Sequence, residues 1–229
     1  MCGRGDQSLT FAEICELAGV VGAVPATNLE PRYNIAPTTS VHIVRMKDGE
    51  RVVEKATWDL VPGWWKKPLS EKKFRTHNAR AETLQDKATF RAAWKNSQRC
   101  IIPMNFFEWK RPRKRGEPPH YIYPAREPAL RMAGLWDEWK DPETGQVHLT
   151  CTTITCEPND FMAELHDRMP VILGADQLDA WFNAPPEIAF DMLKPCPSDW
   201  MAAHRVSAYV NDARNQGSDC IKPQDDLFE

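Results

Sequence analysis

The segment from Val41 to Trp58 restricts the fold more than any other part of the chain. Apolar and polar residues alternate from Val41 to Lys47 and again from Arg51 to Trp58, and Asp48-Gly49 separates the two runs. Alternation with a period of two is typical of a strand with one buried face, and Asp-Gly is favoured in two-residue turns. We therefore expect a β-hairpin here.

Further strands are expected through the middle of the sequence, and helices towards both ends. The predicted strands are Arg99–Ile102, Phe106–Trp109, His120–Tyr123, Leu130–Trp136 and Gln146–Cys156. The predicted helices begin after a capping box at Thr10–Glu13 and lie near Lys87–Asn96, Asn159–His166, Asp176–Phe182 and Pro186–Lys194. This distribution predicts an α+β fold, with a single domain over residues 1–229. Its core is a curved, antiparallel or barrel-like β-sheet flanked by helices.

Composition narrows the class of protein. The 229 residues are 42% hydrophobic with a net charge of −3, so contact with nucleic acid would need a local basic surface. The sequence has no apolar run of membrane-spanning length and no leader peptide, which predicts a cytoplasmic protein. Its seven cysteines form no CxxC pair, so we expect free thiols, no metal and no cofactor.

One segment is strongly basic. Lys110–Arg115 holds five cations in six residues, between two predicted strands. A solvated hairpin tip, a phosphate-contacting loop and a nuclear-localisation signal all fit this composition.

The start of the chain carries a reactive pair of groups. Residue 2 is Cys2, and aminopeptidases remove an initiator Met that precedes a small residue. The mature chain would then present an α-amine and a thiol on adjacent carbons. Such a 1,2-aminothiol converts an aldehyde into an imine and closes it to a thiazolidine, or its thiolate attacks a carbonyl as in N-terminal nucleophile hydrolases.

Several short sequence motifs are unlike segments that only build the fold. They are Met1-Cys2-Gly3-Arg4, Arg32-Tyr33-Asn34-Ile35-Ala36-Pro37, Trp58-Asp59-Leu60-Val61-Pro62-Gly63-Trp64-Trp65, Asn78-Ala79-Arg80-Ala81-Glu82-Thr83, Phe106-Phe107-Glu108-Trp109, His166-Asp167-Arg168-Met169-Pro170, Val206-Ser207 and Asn215-Gln216-Gly217. In this order and spacing the sequence resembles the SRAP family, the SOS-response-associated peptidase-like proteins, from position 2 to about 221. The compact bacterial-type members are the closer likeness. One departure is Asn105, where the family more often has Gly.

The resemblance implies a function. Family members recognise an abasic deoxyribose in single-stranded DNA and link it covalently through the N-terminal Cys as a thiazolidine, which shields the lesion. The expected catalytic residues are Cys2, Asn78, Glu108 and His166. We expect the partner to be single-stranded DNA with abasic sites, bound by a monomer that joins the nucleoid when on DNA.

Residue chemistry supports these roles independently. A histidine titrates near about 6.5, so His166 suits protonation of the sugar ring oxygen. A carboxylate would raise rather than lower the pKa of a nearby amine, so Glu108 fits a proton shuttle better than a group that neutralises the amine electrostatically. Asn78 offers both a donor and an acceptor and could position Cys2 or its product.

The expected DNA surface combines guanidinium groups with aromatic rings. Candidate phosphate ligands are Arg4, Arg32, Arg75, Arg80 and Arg168, of which Arg4 and Arg80 are favoured. Trp64 and Trp65 follow Pro62-Gly63 on a predicted loop and could stack on bases or fill the gap of a missing base. Asn34 and Pro37 join the DNA-binding set through the resemblance alone.

Two other hypotheses remain open from the sequence. A cysteine peptidase would use Cys2 as nucleophile, His166 as base and Asn78 as orienter. A non-catalytic nucleic-acid-binding module would rely on Trp64, Trp65 and the basic loop. The imine pathway also allows a secondary lyase activity by β-elimination.

Overall fold

The computed structural model describes residues 3–22, 29–112 and 116–224, and its regular elements form an α+β fold. The strands are β1 (Gly5–Gln7), β2 (Arg32–Ile35), β3 (Ser40–Lys47), β4 (Glu50–Trp58), β5 (Asn78–Arg80), β6 (Arg99–Pro103), β7 (Asn105–Glu108), β8 (His120–Pro124), β9 (Arg131–Lys140), β10 (Val147–Cys156), β11 (Met169–Pro170) and β12 (Met201–Arg205). The helices are α1 (Phe11–Ala18), α2 (Arg91–Lys95), α3 (Asp160–Ala163), α4 (Leu178–Asn183) and α5 (Pro186–Phe190).

A closed ring of five strands forms the centre of the molecule. Its order is β10-β4-β3-β6-β9, and the ring closes because β9 pairs with both β6 and β10. The barrel-like core expected from the sequence is thus confirmed. Two pairings are parallel, β4 with β10 and β5 with β10, where an antiparallel sheet was expected.

Gly134 lies at the closure of this ring. It is opposite Cys100 on β6 and opposite Thr153 on β10. A Cβ atom at residue 134 would lie 2.7 Å from the Thr152 carbonyl oxygen and 3.0 Å from the Cys100 Sγ atom. Only a residue without a side chain lets the three strands approach this closely.

The predicted hairpin and the predicted helix start are both confirmed. β3 pairs with β4 in full register from Ser40↔Thr57 to Lys47↔Glu50, and both turn residues, Asp48 and Gly49, have positive φ. At α1 the Glu13 amide donates to Thr10 Oγ1 at 3.2 Å, and the Thr10 amide donates to Glu13 Oε2 at 2.7 Å. Helix α2 is shorter than expected, and no helix among the described residues is long and apolar enough to cross a membrane.

The second sheet buries β1, the first strand of the chain. Its order is β12-β8-β7-β1-β2, so β1 is hydrogen-bonded on both edges. Gly5 faces Phe106 on β7 and Ile35 on β2, and the Phe107 amide donates to the Arg4 carbonyl oxygen at 3.0 Å. Residues 3–7 are therefore fixed by pairing with segments about 30 and 100 residues away.

A buried carboxyl group, that of Asp6, belongs to strand β1. Asp6 is 1% exposed, and its Oδ2 atom accepts hydrogen bonds from Tyr121 Oη at 2.6 Å and from Ser8 Oγ at 3.3 Å. Asn105, the departure from the family pattern, donates from Nδ2 to Tyr121 Oη at 2.9 Å and so supports the pair. Burial raises the pKa of Asp6 to about 6, against the effect of these hydrogen bonds.

Asp6→Asn should therefore change the pH dependence of stability. Because the folded-state pKa of Asp6 is raised, the stability that the protonated side chain contributes is fully present below about pH 4 and is lost as pH rises through about 6. The loss in the free energy of unfolding is on the order of 3 kcal/mol. Asparagine keeps an acceptor for Tyr121 without the charge. Urea unfolding at pH 4 and pH 7.5 should show the variant losing less stability than wild type. The exposed Asp86→Asn serves as control, and equal losses in all three proteins would contradict the assignment.

Candidate active site

Glu108 ends β7 directly beside the N-terminal strand. It is 4% exposed, pairs in register with His120 on β8, and accepts a hydrogen bond at Oε1 from the Trp109 amide at 3.2 Å. Burial raises the pKa of the Glu108 carboxyl. A carboxyl of raised pKa is a better proton carrier near neutral pH than an exposed one.

His166 lies at the end of the turn that follows α3. The ring is 2% exposed, and its backbone amide donates to the Met162 carbonyl oxygen at 2.7 Å. The pKa of His166 is lowered to about 4, chiefly by burial; Arg111 and Arg168 act in the same direction, while Asp167 opposes them. The ring is therefore neutral at pH 7, which differs from the ordinary titration expected from the sequence.

Two groups compete for the Nδ1 atom of this ring. The Arg168 amide donates to Nδ1 at 3.0 Å, and the Asp167 carboxylate lies 2.7 Å from it. A neutral ring cannot serve both, because the first needs a lone pair on Nδ1 and the second needs a proton there. The Asp167 side chain is 76% exposed and is solvated by water, whereas the amide would lose its acceptor. We therefore assign the proton to Nε2.

Strand β10 brings Asn78 and the His166 turn to the same end of the barrel. Asn78 pairs with Thr153, and Met169–Pro170 pairs with Thr155 and Cys156 on the same strand. A double hydrogen bond from Arg168 to Glu82 connects the two loops, with distances of 2.5 and 2.9 Å. Sequence reasoning did not identify Glu82 as this partner.

A second connection joins the Glu108 strand to the His166 turn. The chain leaves Glu108 and passes to Arg111, whose amide donates to the Leu165 carbonyl oxygen at 3.0 Å. Leu165 immediately precedes His166. Two of the expected catalytic residues are thus bridged through the first residues of the basic segment, a contact that composition alone could not reveal.

Arg4 and Asn34 form an internal clamp. Arg4 donates from one terminal nitrogen to Asn34 Oδ1 at 2.8 Å and to the Val210 carbonyl oxygen at 2.6 Å. Asn34 is buried and donates from Nδ2 to the carbonyl oxygens of Asp212 and Asn215, each at 2.9 Å. The clamp fastens β1 and β2 to the C-terminal segment.

The other expected DNA-binding residues lie nearer the surface. Trp64 is 50% exposed and donates to the Ala88 carbonyl oxygen at 3.2 Å, while Trp65 is half-buried against Phe74. Arg80 is exposed, and Pro37 is half-buried in the turn after β2. Arg75 is exposed, and Arg32 donates to the Ser40 carbonyl oxygen.

Some expectations fall outside the described residues. Cys2 lies there, as do Arg113, Lys114 and Arg115 of the basic segment. Among residues 3–22, 29–112 and 116–224, no group of three or more His, Cys, Asp or Glu side chains could hold a metal ion.

Comparison with known proteins gives a consistent result. Residues 1–213 match the family described as SOS response associated peptidase (SRAP). The abasic site processing protein YoqW of Bacillus subtilis is 35% identical over 97% of this chain and 99% of its own. The abasic site processing protein HMCES of Gallus gallus is 31% identical over 84% of this chain and 66% of its own. A crystal structure of a Bacteroides thetaiotaomicron protein is 25% identical with a TM-score of 0.85, covering 97% of this chain and 100% of that one.

The protonation state assigned to His166 is directly measurable. We expect the ring to stay neutral, with its proton on Nε2, down to about pH 5, because burial and nearby cations oppose the imidazolium. Long-range ¹⁵N–¹H NMR of the histidine rings, titrated from pH 8 to pH 4, reports both tautomer and pKa. Asp167→Asn should leave the tautomer unchanged. A proton on Nδ1 in wild type that moves in this variant would contradict the assignment.

Proposed function

The chain belongs to the SOS response-associated peptidase (SRAP) family, and on that premise we propose that it senses abasic sites in single-stranded DNA and bonds to them covalently through Cys2. The names of its relatives, abasic site processing proteins from Bacillus subtilis and Gallus gallus, support this role in DNA damage. The product is a thiazolidine that shields the lesion. We place this activity in the cytoplasm, at the nucleoid when the protein is on DNA.

The observation that carries the proposal is the double-sided pairing of β1. The Arg4 carbonyl oxygen is held by the Phe107 amide, next to Glu108. Two Cα–Cα steps of about 3.8 Å separate Cys2 from Arg4, so the tether keeps Cys2 within reach of this end of β7. Segments near a chain terminus ordinarily fray, and the fixation of Arg4 and Gly5 beside a buried carboxyl suits a terminal nucleophile.

Ring opening is the first chemical step. The closed abasic sugar becomes an aldehyde when its ring oxygen gains a proton, the C1′–O4′ bond breaks and the C1′ hydroxyl gives up its proton to water. With Nδ1 occupied by the Arg168 amide, His166 presents an N–H at Nε2. A neutral imidazole donor can polarise and hydrogen-bond the departing oxygen without carrying a full charge.

Imine formation and ring closure follow. The α-amine of Cys2 adds to C1′, the carbinolamine loses one water, and the thiol sulfur then adds to the same carbon while its proton passes to nitrogen. The net reaction joins one aldehyde to one aminothiol with release of one water. An amine with a pKa of about 8 is mostly protonated at pH 7, so a base must take its proton first.

We assign this proton transfer to Glu108. Its raised pKa lets the carboxylate accept the ammonium proton and return it to the departing hydroxyl. Asn78 would position the adduct from strand β5, where it pairs with Thr153 of β10. When closure fails, the imine permits β-elimination of the 3′ phosphate, a secondary lyase reaction.

The DNA surface is proposed on the exposed residues. Arg80 offers its guanidinium to a phosphate and Trp64 a ring face for stacking, with Trp65 and Pro37 beside them. Arg4 and Asn34 serve this surface by holding β1 in place, since the Arg4 side chain already donates to Asn34 and Val210.

The peptidase alternative makes a different demand on His166. A general base for the Cys2 thiol needs a lone pair on the nitrogen that faces it. A ring whose Nδ1 accepts from the Arg168 amide carries a proton on Nε2, which favours a donor over a base. Blocking the α-amine separates the two functions, because a thiolate peptidase tolerates the block and imine formation does not.

Intact-mass spectrometry with single-stranded DNA that carries one abasic site tests the proposal. We expect the protein without Met1 to gain the mass of the DNA minus one water, in an adduct that survives denaturation. Cys2→Ala keeps the amine but lacks the thiol, so it should give an adduct only after borohydride trapping. A processed wild-type chain that forms no adduct would refute the proposal.

Substitution of Glu108 or His166 should change the rate of adduct formation. Glu108→Gln should slow adduct formation by about 100-fold at pH 7, and His166→Ala by a similar factor, because the first removes a proton carrier and the second a positioned N–H donor. Wild-type rates should fall as pH drops through the raised pKa of Glu108, and the Gln variant should lack that limb. Single-turnover kinetics measures both, and thermal unfolding controls for folding. Unchanged rates in both variants would exclude these roles.

A further inference from the structure

Arg111 is a cation that the proposed chemistry does not yet use. It follows Glu108 by three residues, and its backbone is fixed by the 3.0 Å hydrogen bond from its amide to Leu165, next to His166. Its side chain is exposed. The fold therefore anchors this residue between the two proton-carrying groups and leaves its guanidinium in solvent.

The charge of Arg111 acts on both reactive groups. After burial, which is the largest cause in each case, Arg111 is among the cations that lower the pKa of Glu108 and the pKa of His166. This double effect agrees with the position of the Arg111 backbone, three residues after Glu108 and hydrogen-bonded to the residue before His166.

Two other guanidinium groups near the site already have partners within the protein. Arg168 is paired with Glu82, and Arg4 donates to Asn34 and to Val210. Arg111 makes no ion pair and no side-chain hydrogen bond with residues 3–22, 29–112 or 116–224. Its donors remain available to an external anion.

We propose that Arg111 binds one of the two phosphates that flank the abasic sugar and thereby fixes the lesion between Glu108 and His166. This inference rests on the proposed function. A phosphodiester oxygen accepts from a guanidinium fork, and the cation offsets repulsion between the DNA backbone and the Glu108 carboxylate. Phosphate contacts position DNA without reading its sequence, which suits a lesion that has no base.

A methylphosphonate scan tests this contact. Three oligonucleotides carry the same abasic site with natural linkages, or with one uncharged methylphosphonate on the 5′ or the 3′ side. Single-turnover adduct formation is measured for wild type and Arg111→Gln. Arg126→Gln is the matched control, because Arg126 follows β8 at the end away from Glu108 and is exposed.

For wild type we expect one of the two methylphosphonates to slow the reaction by about 10-fold. Arg111→Gln should slow the natural substrate by a similar factor and show no further loss with that methylphosphonate. The reaction of Arg111→Gln should also depend less steeply on salt concentration, by the equivalent of about one phosphate contact. Arg126→Gln should behave as wild type.

Two results would overturn the inference. One is full methylphosphonate sensitivity retained in Arg111→Gln at both positions. The other is an equal loss in Arg111→Gln and Arg126→Gln, which would indicate only a general charge effect.

Failure of the covalent chemistry is recognised separately. A tetrahydrofuran analogue of the abasic sugar cannot open its ring, so its binding, followed by fluorescence anisotropy, does not depend on adduct formation. The same methylphosphonate pattern in affinity would sustain the Arg111 contact even if wild type formed no adduct. Its absence from affinity as well as rate would refute the contact.

Discussion

The pairing of β1 on both edges is the constraint on which the rest of the structure depends. Three residues, Gly5–Gln7, hold the beginning of the chain between β2 and β7. Strands this short gain little from their own hydrogen bonds, so the arrangement needs the Arg4–Asn34 clamp and the C-terminal segment that it fastens. Strand β1 is thus held by residues 210–215 as well as by its neighbouring strands, and the site cannot assemble before segments distant in sequence have met.

The buried groups around this strand share one electrostatic character. Asp6 and Glu108 have raised pKa values and His166 a lowered one, and burial is the largest cause each time. The environment therefore disfavours every charged form, acid or base alike. Such an environment suits a reaction that begins with a neutral sugar and ends with a neutral ring, because protons must move but no net charge has to accumulate.

Local sequence signals predicted the elements that are stabilised locally. The Asp48-Gly49 hairpin, the Thr10–Glu13 capping box and the long strands β9 and β10 follow from turn chemistry, capping and alternation. The short strands β1, β2, β5, β11 and β12 were missed. Four of them, β1, β5, β11 and β12, contain no β-branched or aromatic residue, unlike the equally short β7 and β8, which were predicted. The site strings were found through resemblance. The neutral ring of His166 and the Glu82 partner of Arg168 could not be predicted from the sequence, because they depend on burial and on long-range contacts.

The burial of the cysteines has a consequence for chemical selectivity. All six cysteines of the described residues lie inside the protein, and burial raises the pKa of each: Cys15, Cys100, Cys151, Cys156, Cys196 and Cys220. Aldehydes and oxidants react with accessible thiolates, so these six are poor competitors for either. A protein whose proposed substrate is an aldehyde thereby keeps its internal sulfur chemically silent.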